Sequence, residues 1–258
     1  MRFLGLVICA WCMSIGCTTV EADPFGHIQD PEIKSVLKSA CDAHGGMDRY
    51  HSIDSVIYEK RSALYLPDGG IESDVTQHHA YQLYPSLTGK ITWQDTIGVH
   101  VINYSADDPH RTLDGKRTDH TPDAVAKSFM GSYFVLFIPY KMADPDVDLR
   151  YEGITTIDDE EYDVLAAHYA PDIHAHHSTD DVWRLYSSKK DGSIISNLVH
   201  HPPTYAYIEN VEYNDHHPLR VNTFRQTWRA DKDLNKEYLR GEFWYWDYRF
   251  VMRDDQGS

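Results

Sequence analysis

Cysteine is scarce. The 258-residue chain has four; Cys9 and Cys12 lie in an apolar leader and Cys17 at its end, which leaves Cys41 alone in the body and excludes a disulfide framework. Basic residues are also few. Lys and Arg number 24 against 40 Asp and Glu, a formal net charge of −16 with histidine neutral, which argues against long-range attraction to nucleic acid or an anionic bilayer. There is no G-x-S-x-G elbow, H-E-x-x-H pair, P-loop or dinucleotide fingerprint. The profile that remains is globular, 41% hydrophobic, 12% aromatic and 25% charged, and a chain of this length can bury a large core without metal or disulfide.

The start of the chain reads as a targeting segment. Arg2 is followed by an almost wholly apolar stretch from Phe3 to Ile15, too short for the roughly 20 residues that a membrane-spanning helix needs. Ser14-Ile15-Gly16-Cys17 closes it with small residues before a cysteine. That layout is a secretory signal peptide over residues 1–16, and its last four residues resemble the bacterial lipobox. The resemblance implies that Cys17 carries the lipid and that Thr18 behind it directs the protein to the outer membrane, with the periplasm as the side it faces. The alternative is ordinary signal-peptide cleavage nearby, with Cys17 a plain thiol. Residues 17–30 read as a polar tether, and 31–258 as a single domain, because no Pro-, Gly- or Ser-rich linker divides them.

Asp30-Pro31-Glu32 supplies an N-cap, a proline at N1 and an early acid, and Ile33, Val36, Leu37, Ala40 and Cys41 follow at helical spacing until Gly45-Gly46. This predicts a helix over 31–44, with Cys41 a small core residue on its apolar stripe. Beyond it period-2 runs dominate, bounded by turns such as Pro67-Asp68-Gly69-Gly70 and Asp191-Gly192. Strands are expected near 54–66, 71–84, 87–94, 97–104, 110–114, 149–156, 162–170, 182–188, 193–200, 205–213, 219–229 and 241–251. A second, short helix is expected near 122–131 after Thr121-Pro122-Asp123. The fold class is α+β, mainly antiparallel β.

The last strand carries rings on both faces. Strict alternation places Trp244, Trp246, Tyr248 and Phe250 on one side and Phe243, Tyr245, Asp247 and Arg249 on the other. Tyr205, Tyr207, Val211 and Tyr213 share one face of an earlier strand, and Phe224 and Trp228 one face of the next. Eighteen tyrosines are many for this length, and each pairs an apolar ring with a polar tip. A concave surface lined this way suits an amphipathic ligand; the plainer reading is that the rings are core and cross-strand pairs.

The order of elements resembles the lipoprotein-carrier class, the periplasmic lipoprotein-localisation proteins and their bacterial relatives. The resemblance rests on the lipobox-like start, the helix ending in Ala43-His44-Gly45-Gly46, and the strand Ile53-Asp54-Ser55-Val56-Ile57-Tyr58-Glu59. It extends through Phe134-Val135-Leu136-Phe137-Ile138-Pro139-Tyr140, read as a helix-to-strand passage, through Tyr162-Asp163-Val164-Leu165, and through Asp181-Val182-Trp183-Arg184-Leu185-Tyr186. It spans roughly residues 32–251. The implied fold is a strongly curved, incomplete β-barrel with an N-terminal helix and a short second helix covering the open side. The implied function is sheltering acyl chains in an apolar cavity, whose lining carries over by residue type to Tyr58, Trp93, Phe134, Phe137, Trp183, Trp228, Trp244 and Trp246. The ladder residues Tyr205 and Tyr207 complete the candidate ligand-binding set. A lipid on Cys17 would pin the protein where a soluble carrier shuttles, and the tyrosines imply a more polar cavity than acyl chains prefer.

Sixteen histidines are the compositional oddity. In Asp172-Ile173-His174-Ala175-His176-His177 the side chains of His174 and His176 share one side of an extended segment and can share a Zn²⁺ or Cu²⁺ ion. Three doublets, His78-His79, His200-His201 and His216-His217, could complete such a site with His177, one residue of each pair facing it because strand neighbours project to opposite sides; His200 or His201, at a strand end before Tyr205, is the best placed. The plainer reading is a solvated polar loop. Acid clusters at 144–148 and 158–161 lack the glycine and terminal glutamate of an EF-hand loop and read as solvated turns. The expectation is an outer-membrane-anchored lipoprotein binding an amphipathic or lipid-like small molecule without catalysis and without a cofactor. It would touch the membrane through the Cys17 lipid only and would not bind nucleic acid. The alternatives are a metal-dependent hydrolase or metal-binding protein, with Zn²⁺ held at the histidine loop, and a structural lipoprotein whose acidic face meets a basic partner.

Overall fold

The computed structural model describes residues 23–169, 181–215 and 218–253. Helix α1 (Pro31–Ala43) and the short α2 (Met47–His51) lead into strands β1 (Ile53–Tyr65), β2 (Ile71–Gln82), β3 (Thr88–Gln94), β4 (Val99–Tyr104), β5 (His110–Leu113) and β6 (Lys116–Arg117). Helices α3 (Pro122–Leu136) and α4 (Ile138–Met142) follow. The remainder is strands β7 (Val147–Ile157), β8 (Glu160–Tyr169), β9 (Val182–Ser188), β10 (Ile194–His201), β11 (Thr204–Asn214), β12 (Val221–Ala230) and β13 (Lys236–Met252).

The topology is a meander broken once. Among the described residues the strands form one antiparallel sheet, ordered from β6 back to β1, across to β13, and down from β13 to β7. The first and last strands of the chain pair in its middle, and β6 and β7 are left as free edges. The chain crosses from one edge to the other through α3 and α4, so the helices occupy the hollow that a closed barrel would fill with side chains. This is the strongly curved incomplete barrel expected from the sequence.

Local chemistry explains the helices. The Asp30 carboxylate accepts hydrogen bonds from the backbone N–H groups of Glu32 (2.8 Å) and Ile33 (3.2 Å), a cap that contributes about 1 kcal/mol. Ile33, Val36, Leu37, Ala40 and Cys41 are the buried face of α1, and the Cys41 thiol, buried and pushed up in pKa by desolvation, donates to the Pro139 carbonyl at 3.4 Å. Thr121 caps α3 by accepting from the Ala124 N–H at 3.3 Å. α3 runs beyond the expected 122–131 because Tyr133 and Phe134, buried in the core, repay the cost of Gly131 within the helix. The passage expected after Phe134 is therefore helix, ending α3 and forming α4. The short β6, α2 and the early start of β13 at Lys236 were not expected.

The main core lies between α1, α3, α4 and one face of the sheet. Phe129 is its pivot: fully buried, it stacks on Tyr104 (centroids 4.3 Å apart, 5°) and meets Tyr81 edge-on at 5.0 Å. Gly89 passes beneath it, where a Cβ would come within 2.7 Å of the Phe129 ring. On the opposite face of β8–β12, Tyr162, Tyr186, Leu198 and Tyr207 form a second small cluster with Tyr205 and Trp228 packed against it.

Strict alternation along β13 fails at Asp247. Pairing with β1 runs Glu59 to Trp246 and then Ile57 to Arg249, so that Tyr58 faces two residues, and Asp247 takes φ 55°. This β-bulge reverses the side-chain phase. Tyr245 and Tyr248 both turn into the core at 6% exposure each, whereas Trp246 stays on the far face at 39%. The expected ladder Trp244, Trp246, Tyr248, Phe250 is thus split: the last two join the core, and Trp244 stacks on Phe224 (5.4 Å, 20°) beneath the Arg61 guanidinium (4.7 Å). β11 is re-phased likewise. Register shifts after Asn210 and Glu212 bring Tyr213 edge-on to His44 at 5.2 Å, so Tyr213 leaves the face of Tyr205 and Tyr207.

If the bulge sets the phase, Tyr248→Ala should cost about 3–5 kcal/mol, as for a buried aromatic truncated to alanine, while Trp246→Ala should cost about 1 kcal/mol or less. Urea unfolding of the two variants measures the difference; equal losses would mean that alternation runs unbroken through Asp247.

Candidate functional site

A cavity of about 340 Å³ separates α3 from the concave side of the sheet. Its floor is Lys60 of β1, Ile208 of β11, Arg225 and Thr227 of β12, and Phe243 and Tyr245 of β13. Its roof is one stripe of α3, namely Lys127, Ser128, Gly131, Ser132 and Val135. The helix has two unlike sides. Val125, Ala126, Phe129, Tyr133 and Phe134 are buried in the core, while the roof stripe is small and half-polar. Gly131 is exposed and a Cβ there would meet nothing within 4 Å, so the middle of the stripe borders open space. Both expected helices cover the concave side: α1 lies over filled core, and the second helix, α3, roofs the cavity.

None of the ten ring residues expected to line a ligand site lines this cavity. Tyr58, Phe134 and Phe137 are at most 1% exposed and belong to the core, and Trp183 packs edge-on against Phe134 at 4.9 Å. Trp93 stacks on His100 (4.9 Å, 10°) under the Arg111 guanidinium. Tyr205, Tyr207 and Trp228 belong to the cluster on the opposite face, where the Trp228 indole donates to Glu209 at 2.7 Å. Trp244 and Trp246 stand on that far side as well. The cavity walls come from Phe243, Tyr245, Ile208 and the α3 stripe. Alternation pointed to Phe243 and Tyr245 as a face of their own, but without the bulge nothing in the sequence marks that face as the inner one.

Beside the cavity the rings form a hydrogen-bonded block. Tyr58 stacks on His79 (4.6 Å, 16°) and on Tyr248 (5.2 Å, 27°). His79 Nδ1 lies 2.7 Å from the Tyr81 hydroxyl, and the Tyr58 and Tyr81 hydroxyls are 3.3 Å apart. Burial holds the His79 pKa well below its ordinary value, so the ring is neutral; its Nε2–H donates to the Gln77 side-chain oxygen at 3.3 Å, which leaves Nδ1 to accept from a tyrosine hydroxyl. Pairing thus satisfies the polar tips that a buried tyrosine needs satisfied.

His44 is a second buried, neutral imidazole. Its Nδ1–H donates to the Arg220 carbonyl at 3.2 Å, and its Nε2 accepts from the Ile194 N–H at 3.3 Å. Desolvation lowers its pKa to about 4. It borders a void of about 20 Å³ shared with Asn197, Asn210, Asn222 and Arg225, in which both amide atoms of Asn197, Oδ1 of Asn210 and Nδ2 of Asn222 have no partner among the described residues. That space suits one water molecule.

For the metal reading, Cys17, His174, His176 and His177 lie outside the described residues. His200 stacks on Tyr205 (4.3 Å, 13°), and the exposed His201 meets Asp181 at 2.5 Å. Among the described residues no group of three or more His, Cys, Asp or Glu is placed to hold a metal ion, nor is any helix long and apolar enough to cross a membrane.

No family model matches the chain, and no curated protein does. Solved structures do. The chain is similar to a DUF1329 family protein from Desulfovibrio piger, with TM-score 0.54 at 8% identity over 84% of this chain and 92% of that one. It is also similar to a putative outer membrane lipoprotein-sorting protein domain from Vibrio parahaemolyticus, with TM-score 0.52 at 12% identity over 87% and 97%. The likeness shows the fold, a curved open antiparallel sheet with helices in its hollow.

The neutral histidines give this fold a pH dependence. Free His44 titrates near 6.5 and folded His44 near 4, so between these values the unfolded chain binds a proton that the folded one refuses, and stability falls as pH drops through the window. The loss from His44 alone should be about 3 kcal/mol, with His79 adding in the same direction. Chemical denaturation between pH 7 and 4 checks it: His44→Asn should be less stable at pH 7 yet show the shallower decline, and parallel slopes would refute the assignment.

Proposed function

We propose that the protein binds an amphipathic or lipid-like molecule in the cavity between α3 and the concave sheet, without catalysis. The observation that carries this reading is the cavity itself, which the fold leaves open although rings are plentiful enough to fill it. A space of about 340 Å³ falls within the range of roughly 300–1,000 Å³ usual for small-molecule sites. Val135, Ile208, Phe243 and Tyr245 offer apolar wall, and affinity would come from removing that surface from water at about 25 cal/mol per Å² before ordering costs. The similar domain described as lipoprotein-sorting supports the same class of ligand. Acylation at Cys17 would hold the body at the outer membrane, facing the periplasm, with residues 17–30 as tether and 31–258 as one binding domain. The expected zero-cofactor state belongs to this reading; Zn²⁺ at the histidine loop has no feature of the described residues in its favour.

Gly131 gives the test. Gly131→Trp on α3 puts a large ring into open space without removing any core contact, and leaving glycine behind favours the helix. The neutral probe N-phenyl-1-naphthylamine should brighten on binding the parent protein and bind Gly131→Trp at least ~10-fold more weakly, with unchanged circular dichroism and thermal midpoint. A folded parent protein that carries no co-purified lipid by mass spectrometry and leaves the probe dark would overturn the proposal.

A further inference from the structure

The cavity's charge narrows what can enter it. Among the described residues its walls hold three cations, Lys60, Lys127 and Arg225, and no carboxylate, in a chain whose formal net charge is −16. Cations gathered at one site against so acidic a background call for a local reason.

Arg225 is the most demanding of the three. It is only 6% exposed, and among the described residues it forms no ion pair. Its guanidinium donates to the Asn222 side-chain oxygen, Nε has no partner, and the Tyr245 ring lies 5.6 Å away. A buried charge is costly unless paired, and a cation–π contact at that distance compensates for it only in part. Lys60 is half-buried beside rings. Its ammonium sits 5.2 Å from the Phe243 ring centroid and 5.9 Å from that of Tyr245, with no carboxylate partner among the described residues. Lys127 meets Asp123 at 3.4 Å on the exposed side of α3, a pairing that solvent screens.

A structural explanation covers part of this. Arg225 also borders the 20 Å³ void, and a single water there would serve the idle amides of Asn197, Asn210 and Asn222. Water solvates a guanidinium but does not neutralise it, so the charge still lacks a counterion. The cavity volume adds a second constraint: it is at the small end for ligand sites, which favours one chain over several. A cysteine acylated with several uncharged chains would crowd this space and leave Arg225 unpaired.

We propose that the cavity takes a single-chain anionic amphiphile, its carboxylate or phosphate head paired with Arg225 and approached by Lys60 and Lys127, its chain against Val135, Ile208 and Phe243. Arg is suited to the role because its planar fork matches the oxygens of either head group. This rests on the lipid-binding reading above and adds the sign of the ligand's charge.

The test uses probes that differ only in the head group. On the chain from Thr18 onward, which contains every described residue, bound N-phenyl-1-naphthylamine is displaced by laurate, dodecyl phosphate, dodecyl maltoside or dodecyltrimethylammonium, each below its micelle concentration. The two anions should act at least ~10-fold below the neutral and cationic probes, and the gap should narrow with added salt. Arg225→Gln should abolish most of that preference. Because Arg225 is part of a buried cluster, Lys60→Gln and Lys127→Gln at the partly exposed wall provide variants whose folding is not at issue, and each should reduce it. Equal displacement by all four probes would overturn the charge assignment while leaving the cavity as an apolar site. Displacement as strong by inorganic phosphate or acetate would overturn the amphiphile and leave a small-anion site. Failure of every probe to bind would overturn this inference together with the reading beneath it.

Discussion

The packing of Phe129 between Tyr81, Tyr104 and the bare backbone of Gly89 is the contact on which the architecture depends. An antiparallel sheet that ends in two free edges must cover its concave face with something. In this chain that cover is the same segment that carries the backbone from one edge to the other. α3 therefore needs one face to anchor it, and the Phe129 stripe is that face. Burying a ring of this size contributes about 2–3 kcal/mol, and Tyr133 and Phe134 extend the anchor toward opposite halves of the sheet.

Once one side of α3 is committed, its other side is free to be different, and this asymmetry makes the cavity. Ser128, Gly131 and Ser132 are small, and they line the cavity together with Thr227 and Phe243. Elsewhere the same sheet is filled tightly: the Tyr58, His79, Tyr81 and Tyr248 block is hydrogen-bonded throughout, and Cys41 and Leu37 are fully buried beneath α1. Close packing on both flanks means that the space under Gly131 does not result from a loosely folded core, because interiors close small gaps unless the backbone around them is held.

Much of this was legible in the sequence. Period-2 runs located twelve strands within a few residues, and the Asp30-Pro31-Glu32 and Thr121-Pro122-Asp123 caps located the two long helices. The resemblance to lipoprotein carriers gave the curvature, which no local pattern encodes. The site was much less legible. Ring content pointed to Tyr58, Phe134, Phe137 and the tryptophans because large apolar side chains are the visible signal, yet such side chains are the ones a core takes up first. The residues that leave room are small or individually ordinary: Gly131, Ser128, Thr227, Ile208. The inner face of β13 was hidden for a different reason. A bulge shifts the phase of every later side chain by one, and an aspartate in the left-handed region cannot be recognised from alternation alone.

The same bulge ties the aromatic block to the charged wall. Tyr245 precedes it and Tyr248 follows it, and both face inward only because Asp247 absorbs the extra residue. Tyr245 in turn lies beside Arg225 and Lys60, and the Tyr248 hydroxyl donates to the Asn222 carbonyl at 2.9 Å, on the residue whose side chain holds Arg225. With regular pleating, Tyr245 and Tyr248 would lie on opposite faces. Either the stack on Tyr58 or the ring beside Arg225 would then be lost, and with it the means of holding a guanidinium at the edge of an apolar space. The bulge at Asp247 thus allows one strand to supply both a tightly packed core and an open, cationic wall.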